Sequence, residues 1–533
     1  MSAIDSRHPR YSEWMLTWQK LRDFYEGEER VKDQGELYLH PTEGMILDGM
    51  KGQGDAKQLG LKRYEAYKAR AVVPEYVETA VELLLGLLHQ KPATIKLPPE
   101  MEPLRTVCSA NRESLDQFQR RINVEQLITG RFGIMCDIKK DATPTDLPYM
   151  ALYSTERIIN WDDNDEMAGP NALNLVVLDE SKLTRVDFEW KFTNAKRVLQ
   201  LGPILTNEPN DAGFVYKQGY FSNADSTSVQ YVEADMVAPM YRGRTLQEVP
   251  FVIGNTKDLL SKPDKPPLNS LCNTCIAIYQ QEADYRQNLH MQSQDTLVVI
   301  GGTRNSSTDP GQPDALRVGS GSRIDVDQGG DAKFIGVSSL GLPEQRQAIE
   351  NDRKRAIIKS GELIQSGTGS QQESGSALRT RFTAQTATLN QIALTGAEAI
   401  QYALRLIARW IGADETQVEV IPNLEFVDFG LDGLDFLNLM QAKTLGFPVS
   451  YESLHRTAQD RGLTTMDFKS EIAQIKTENT TIADVIKPPP PAPPPGAPAP
   501  SVPPGIDPTK KTNVPPNPRE NPGVPNSKPK GGQ

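Results

Sequence analysis

The chain has 533 residues, 38% of them hydrophobic, a formal net charge of −11 and four cysteines. That length holds about two to four domains with ample apolar material for a core, while the charge speaks against a basic nucleic-acid-binding surface spread over the whole molecule, though not against a local basic patch or a ring. Cys108, Cys136, Cys272 and Cys275 are too few for a disulfide scaffold. The polar start MSAIDSRHPR lacks the apolar segment of a secretion signal, and 83-LLLGLL-88 falls far short of the ~20 residues that span a bilayer, so a soluble protein of a reducing compartment is expected.

The run 11-YSEWMLTWQKLRDFYEGEERVK-32 predicts a helix, with Trp14, Trp18, Leu21 and Tyr25 recurring at three and four positions. In 61-LKRYEAYKARAVVPEYVETAVELLLGLLHQKP-92, Pro74 suits the first turn of a second helix and Pro92 its end. Residues 111–130 read as helix, and 131-RFGIMCDI-138, 149-YMALYS-154 and 156-ERIINW-161 as strands. From 173 to 254 the runs LNLVVLDE, VDFEWKF, GFVYKQGYF, VQYVEADMV and VPFVIG, separated by Gly, Asn, Asp and Ser, predict a modest β meander.

A proline-rich hinge, 261-SKPDKPPLNS-270, precedes a helix over 270–293 whose apolar stripe is thin. Residues 295–340 turn to small glycine-rich β elements, DTLVVIGG, ALRVGSGSRIDV and AKFIGVSS, before a second polar helix, 343-PEQRQAIENDRKRAIIKSGELI-364. Two polar helices packed only on each other bury little; either neighbouring copies in an assembly cover them, or both lie on the surface of a large monomer. The small and polar run 366-SGTGSQQESGS-376 leads into 377-ALRTRFTAQTATLNQIALTGAEAIQYALRLIARW-410, an alanine-rich helix of roughly 50 Å in which Gly396 is a candidate bend. A strand over 418–427 and short helices over 433–446, 450–462 and 467–479 follow, with Ser450 and Ser453 at one start and Gly446 and Gly462 at stops. KPPPPAPPPGAPAPSVPPG opens 488–533, a polyproline-like tail expected to be disordered, which serves either as an arm for a partner or for solubility alone.

Catalysis needs a constellation, and none is visible. The five histidines are scattered, and neither a phosphate loop nor a dinucleotide fingerprint occurs. The spacing of 272-CNTC-275 is that of a redox motif, but it lies inside a predicted helix, where two small residues of a packed face are the better reading. The acids of 161-WDDNDE-166 read as a solvated turn before they read as a cation site. No catalytic residue, cofactor or metal is therefore expected, and the chain is not expected to be an enzyme. Lys354, Arg355 and Lys359 sit toward one side of the second polar helix; alone they are ordinary solvated residues, and in a ring they repeat as a band of charge that touches a duplex through its phosphates without base readout.

The order of these elements, with the long runs at 11–32 and 61–92 and with 153-YSTERIINW-161, 249-VPFVIGN-255 and 266-PPLNSLCNTCIAIYQQEADYRQNLHMQSQDTLVV-299, resembles the portal protein of tailed double-stranded DNA bacteriophages. More narrowly it resembles a portal-like phage and prophage family long described as a domain of unknown function. The run QEADYRQNLH is the most telling, and the likeness covers roughly residues 10–480. The resemblance implies an α+β portal fold. Its parts would be an N-terminal wing (1–265), a first stem helix (266–294), a clip (295–341), a second stem helix (342–365), a tunnel loop (366–376), a long wing helix (377–411) and C-terminal wing or crown helices (412–487). The disordered proline-rich tail (488–533) lies outside it.

It further implies a ring, usually of twelve subunits, at one capsid vertex, packaging and later ejecting DNA and serving as the attachment site of neck and tail. The implied partners are double-stranded DNA without sequence specificity, the terminase large subunit, head–tail adaptor proteins, the major capsid protein and scaffold, but no membrane. The implied location is the virion, and the host cytoplasm during assembly. Gly367, Thr368, Gly369, Ser370, Gln371, Gln372, Glu373, Ser374, Gly375 and Ser376 would face DNA, a lining with one acid and no base, although a plain linker also accounts for the run. Lys354, Arg355, Lys359, Arg379 and Arg381 are candidate phosphate contacts; Arg379 and Arg381 would equally serve to anchor the helix start. Another head–tail connector or adaptor ring, and a non-viral scaffold with a proline-rich arm, are the alternatives.

Overall fold

The computed structural model describes residues 4–52, 55–139, 143, 146–163, 172–203, 214–223, 229–292, 296–300, 328–335, 341–361, 375–424, 426, 440–460 and 464–477. Two units separate, Met1–Phe429 and Gly430–Gln533.

The first unit opens with α1 (Pro9–Glu26) and α2 (Glu28–Asp33). The 11–32 run predicts one helix, but the chain breaks at Gly27, whose φ of 99° is open to glycine and strained for other residues. Helix α3 (Glu43–Leu47) and α4 (Asp55–Arg70) follow, then an extended stretch through Pro74 that leads into α5 (Tyr76–Leu88). Strand β1 (Thr94–Lys96) precedes α6 (Leu115–Ile128), which starts on a capping box: Ser114 Oγ accepts from Gln117 N at 3.3 Å and Gln117 Oε1 from Ser114 N at 3.1 Å.

Strand β2 (Arg131–Asp137) is buried along its whole length because it is the middle strand of an antiparallel sheet, between β3 (Tyr149–Ser154) and β9 (Phe251–Asn255). A second antiparallel sheet holds β4 (Ile158–Asp162), β5 (Leu175–Asp179), β6 (Lys182–Val186), β7 (Glu189–Pro203) and β8 (Phe214–Asn223). The run VDFEWKF is thus not one strand but a hairpin turn with Asp187 at φ 55°. VQYVEADMV forms no strand either, but isolated bridges at Gln230 and Val237, the latter to Gln218, and a short 3₁₀ turn at Glu233–Asp235. VPFVIG joins the other sheet.

Helix α7 (Asn269–Gln292), strands β10 (Thr296–Ile300) and β11 (Asp331–Ile335), helix α8 (Leu342–Gly361) and helix α9 (Gly375–Ile411) complete the central segment, and β12 (Glu419–Ile421) returns to pair with β1. The 418–427 strand is therefore shorter than its pattern predicts. One core gathers α1, α4, α5 and α7; a second lies between α1 and the five-stranded sheet around Trp18, Trp161 and Trp410; a third joins α6, the three-stranded sheet and α9.

Helix α9 runs unbroken through Gly396, and that glycine marks a close approach. A Cβ there would come within 2.9 Å of Asn123 Nδ2 and of Gln126 Oε1. Those two buried amides belong to a chain that starts at half-buried His89: His89 Nε2 meets Asn123 Oδ1 at 3.0 Å, Asn123 Nδ2 donates to Gln126 Oε1 at 2.8 Å, and Gln126 Nε2 donates to the Asn255 carbonyl at 2.9 Å. Each member has a partner, as burial demands.

In the second unit, a helical turn at 440–444 ends at Gly446 with φ 101°, and α10 (Tyr451–Asp460) starts on Ser450, whose Oγ accepts from Ser453 N at 3.0 Å. His455 of α10 meets Glu471 of α11 (Phe468–Thr477) at 2.9 Å. Gly462 and the 488–533 tail lie outside the described residues.

Candidate functional site

The site follows from α7 and α8, the polar pair, and their continuation into α9. Helix α7 buries Leu271, Cys272, Cys275, Ile278, Tyr279 and Ala283, a stripe at three- and four-residue spacing that ends at Ala283. Beyond it no described residue of α7 is buried. Helix α8 buries only Ile349 and Ala356 among its described residues. The base of α7 is therefore rooted in the first core, and beyond it little apolar contact joins the pair.

Polar side chains join it, in one antiparallel register. Lys359 Nζ donates to Thr274 Oγ1 at 2.8 Å and to the Ser270 carbonyl at 3.3 Å. Two turns on, Gln281 Nε2 donates to Asp352 Oδ2 at 2.9 Å. Glu282, only 4% exposed, takes Arg353 at 2.5 Å and Arg286 at 2.8 Å. Farther along, Asn288 Nδ2 donates to Gln345 Oε1 at 3.1 Å. A carboxylate this buried is costly unless paired and hydrogen-bonded; two guanidinium groups meet that need.

The pair's outer surface keeps apolar side chains in water. Leu289 and Met291 are exposed near the far end of α7, and Ile357 and Ile358 lie exposed on α8. Beyond α7 and α8, β10 and β11 pair in antiparallel register from Thr296 opposite Ile335 to Ile300 opposite Asp331. The run ALRVGSGSRIDV between these strands lies outside the described residues.

The sequence-predicted site residues divide three ways. Lys354 is exposed; Arg355, with a side chain 71% exposed, pairs with Asp352 at 3.0 Å; Lys359 is half-buried and turned to α7. The run 366–374 lies outside the described residues. Gly375, Ser376, Arg379 and Arg381 belong to the backbone of α9, which starts two residues before the predicted 377.

Two alternatives weighed on the sequence are also placed. Cys272 and Cys275 are fully buried in the first core, and burial pushes the Cys275 thiol up to about 12, away from the thiolate that redox exchange requires. Of the WDDNDE acids, Asp162 is exposed, whereas Asp163 is buried and accepts a hydrogen bond from Ser261 Oγ, so the solvated-turn reading fails for Asp163; the positions after it lie outside the described residues. Buried packing between β4 and the hinge replaces solvation there. No group of three His, Cys, Asp or Glu side chains among the described residues is arranged to hold a metal ion. No helix among the described residues is long and apolar enough to cross a membrane.

Sequence reasoning missed Glu282 and its two arginines. The Glu282–Arg286 spacing within QEADYR was a visible i, i+4 signal. Arg353 depends on how α8 returns along α7, and no local pattern carries that. Also missed was Arg131 of β2, fully buried over the Trp161 ring at 4.2 Å with no hydrogen-bond partner for its guanidinium. Burial lowers its pKa to about 9, against the nearby charge of Asp163.

A family model described as a domain of unknown function, DUF4055, matches residues 267–411, the span from α7 through the end of α9. No curated protein matches the chain. Among solved structures, the chain is similar to one titled as the neck of a native GTA particle computed with C12 symmetry, at 12% identity and a TM-score of 0.35, covering 71% of this chain and 88% of that one. It is also similar to one titled as the neck of an empty GTA particle computed with C6 symmetry, at 12% identity and a TM-score of 0.35, covering 74% of this chain and 90% of that one.

Proposed function

We propose that the chain is the subunit of a portal-type ring at one vertex of a tailed-phage capsid, the channel through which double-stranded DNA is packaged and later ejected. The observation that carries this reading is the α7–α8 pair, tied within the chain by a polar ladder while Leu289, Met291, Ile357 and Ile358 face outward. Neighbouring copies would cover those side chains, and a ring covers every copy alike. The family match over 267–411 supports the reading because it spans the helix–module–helix–long helix segment and nothing else.

In this account α7 and α8 form the stem, β10 and β11 belong to the clip that meets the terminase and later the adaptor proteins, and residues 1–265 with α9 form the wing against the capsid shell. The chain performs no reaction of its own; the terminase motor supplies the energy. Gly367 to Ser376 face the duplex with neutral groups and Glu373. A sliding polyanion is served by weak contacts, because each lysine or arginine held on a phosphate strengthens binding through counterion release. Lys354, Arg355, Arg379 and Arg381 then act as a dispersed band of charge without base readout, and Lys359 at most shares its ammonium with Thr274.

Two experiments test these assignments. Gln371→Lys with Gln372→Lys should slow DNA packaging in a packaging assay; an unchanged rate would remove the neutral-lining argument. Ile357→Glu with Ile358→Glu should reduce ring yield on a sizing column, and a full yield would show that these side chains are not covered by a neighbour.

A further inference from the structure

The outer half of the β6–β7 hairpin stands apart from the sheet that carries it. Strands β5 and β8 flank β7 only from Asn194 onward, so Glu189–Thr193 pair with β6 alone. The register sets Leu183 opposite Phe192 and Arg185 opposite Trp190. Strand side chains alternate between faces, so these four share one face, while Lys182, Thr184, Lys191 and Thr193 take the other. Every residue from Lys182 to Phe192 is exposed, in contrast to the buried Val176, Val177 and Leu178 of β5. Leu183 is 61% exposed, Trp190 66%, Phe192 63%, and Phe188 at the turn 97%.

A two-stranded ribbon is marginally stable in water on its own. Its three aromatic rings leave on the order of 400 Å² of apolar surface uncovered, the size at which a patch marks an interaction site. We propose that this ribbon is an assembly arm whose aromatic face packs on a second copy of the same chain.

Area, charge and a second apolar surface favour that occupant. The arm supplies about half of the ~800 Å² that each partner contributes to a stable interface, and it supplies the Trp-centred part that dominates binding energy. Lys182, Arg185 and Lys191 against Asp187 and Glu189 make the arm net positive on a chain of net charge −11, so the body of another copy attracts it. The chain also exposes apolar side chains away from the arm, Ile46 and Leu47 on α3. An arm and a dissimilar receiving surface on one chain are the two halves of a head-to-tail contact. The inference needs self-association and does not presuppose a closed ring.

The test uses the full chain and its tryptophans. Trp18, Trp161 and Trp410 are buried and Trp14 is half-buried, so a solvent quencher reports chiefly on Trp190. Mass photometry over a dilution series, with acrylamide quenching at each concentration, should show Trp190 becoming protected as the chain associates, and Trp190→Phe should remove that change. Leu183→Ser with Phe188→Ser should weaken association at least about tenfold. Arg185→Glu, which leaves the apolar side chains in place, should weaken it more at low salt than at high salt. Equal association of all variants, a Trp190 equally quenched in monomer and assembly, or a wild-type chain that stays monomeric would overturn the proposal. A ring that forms without the arm sinks the arm alone; an arm-dependent dimer sinks the ring alone.

Discussion

Two residues, one buried and one half-buried, show how single groups set stability here. Arg131 carries a full charge in a site where only the Trp161 ring and the Asp163 carboxylate offset its burial. A buried charge that lacks a hydrogen-bonded partner is costly, and a well-packed apolar side chain of similar length removes that cost. Arg131→Met should therefore raise the melting temperature and Asp163→Asn should lower it, both read by thermal unfolding; the reverse order would mean that the Arg131 charge stabilises its site. His89 gives a pH dependence. Burial, opposed by the hydrogen bond to Asn123, lowers its pKa below 6.5 in the folded chain. The unfolded chain then binds the proton first as pH falls, so folding stability is lost from pH ~6.5 downward toward the lower folded value and is unaffected above it. Melting temperatures of wild type and His89→Gln, compared at about pH 7.5 and 5.5, should shift in favour of the variant at the lower pH. Neither residue was legible in the sequence: a lone Arg at the head of a strand and a lone His after a helix look like solvated ends, and only the tertiary packing buries the first and half-buries the second.

At the scale of elements, the helices were largely readable and the pairings were not. Both polar helices and the long helix appear from periodicity, because each keeps one apolar face or none, and the central strand from a short apolar run buried on both faces. The hairpin inside VDFEWKF did not, since Asp187 and Phe188 make a turn within an apolar run that lacks the usual glycine. The α7–α8 ladder depends on a register fixed by side chains 71 positions apart in sequence. Removing its centre tests it. Glu282→Gln should destabilise the first unit by ~1–3 kcal/mol, the range for a hydrogen bond to a charged group; Arg353→Met should cost less, because Arg286 still holds the carboxylate. Gly396→Ala should cost ~1–3 kcal/mol as an overpacking change, since the new methyl must displace the amides of Asn123 and Gln126. Denaturant titration reads all three, and a neutral Gly396→Ala would mean that α9 lies free to shift there.

At the scale of the whole molecule, the account rests on the absence of a self-sufficient surface. The α7–α8 pair presents apolar side chains outward, the β6–β7 ribbon presents an aromatic face, and no single copy covers either among the described residues. The order of elements was legible in the sequence, because proline hinge, polar helices and alanine-rich helix differ sharply in composition. Which surfaces lie uncovered was not, because exposure is a property of the packed chain. The most direct measurement is electron microscopy of the purified full-length chain, with particles classified by rotational symmetry. Twelve copies of the 59.0 kDa chain would give a closed ring of roughly 700 kDa with a central hole wide enough for duplex DNA. The account predicts such a ring, with one rotational symmetry and α7 and α8 lining its channel. Particles that remain monomers or dimers, or rings with those helices on the outside, would contradict it.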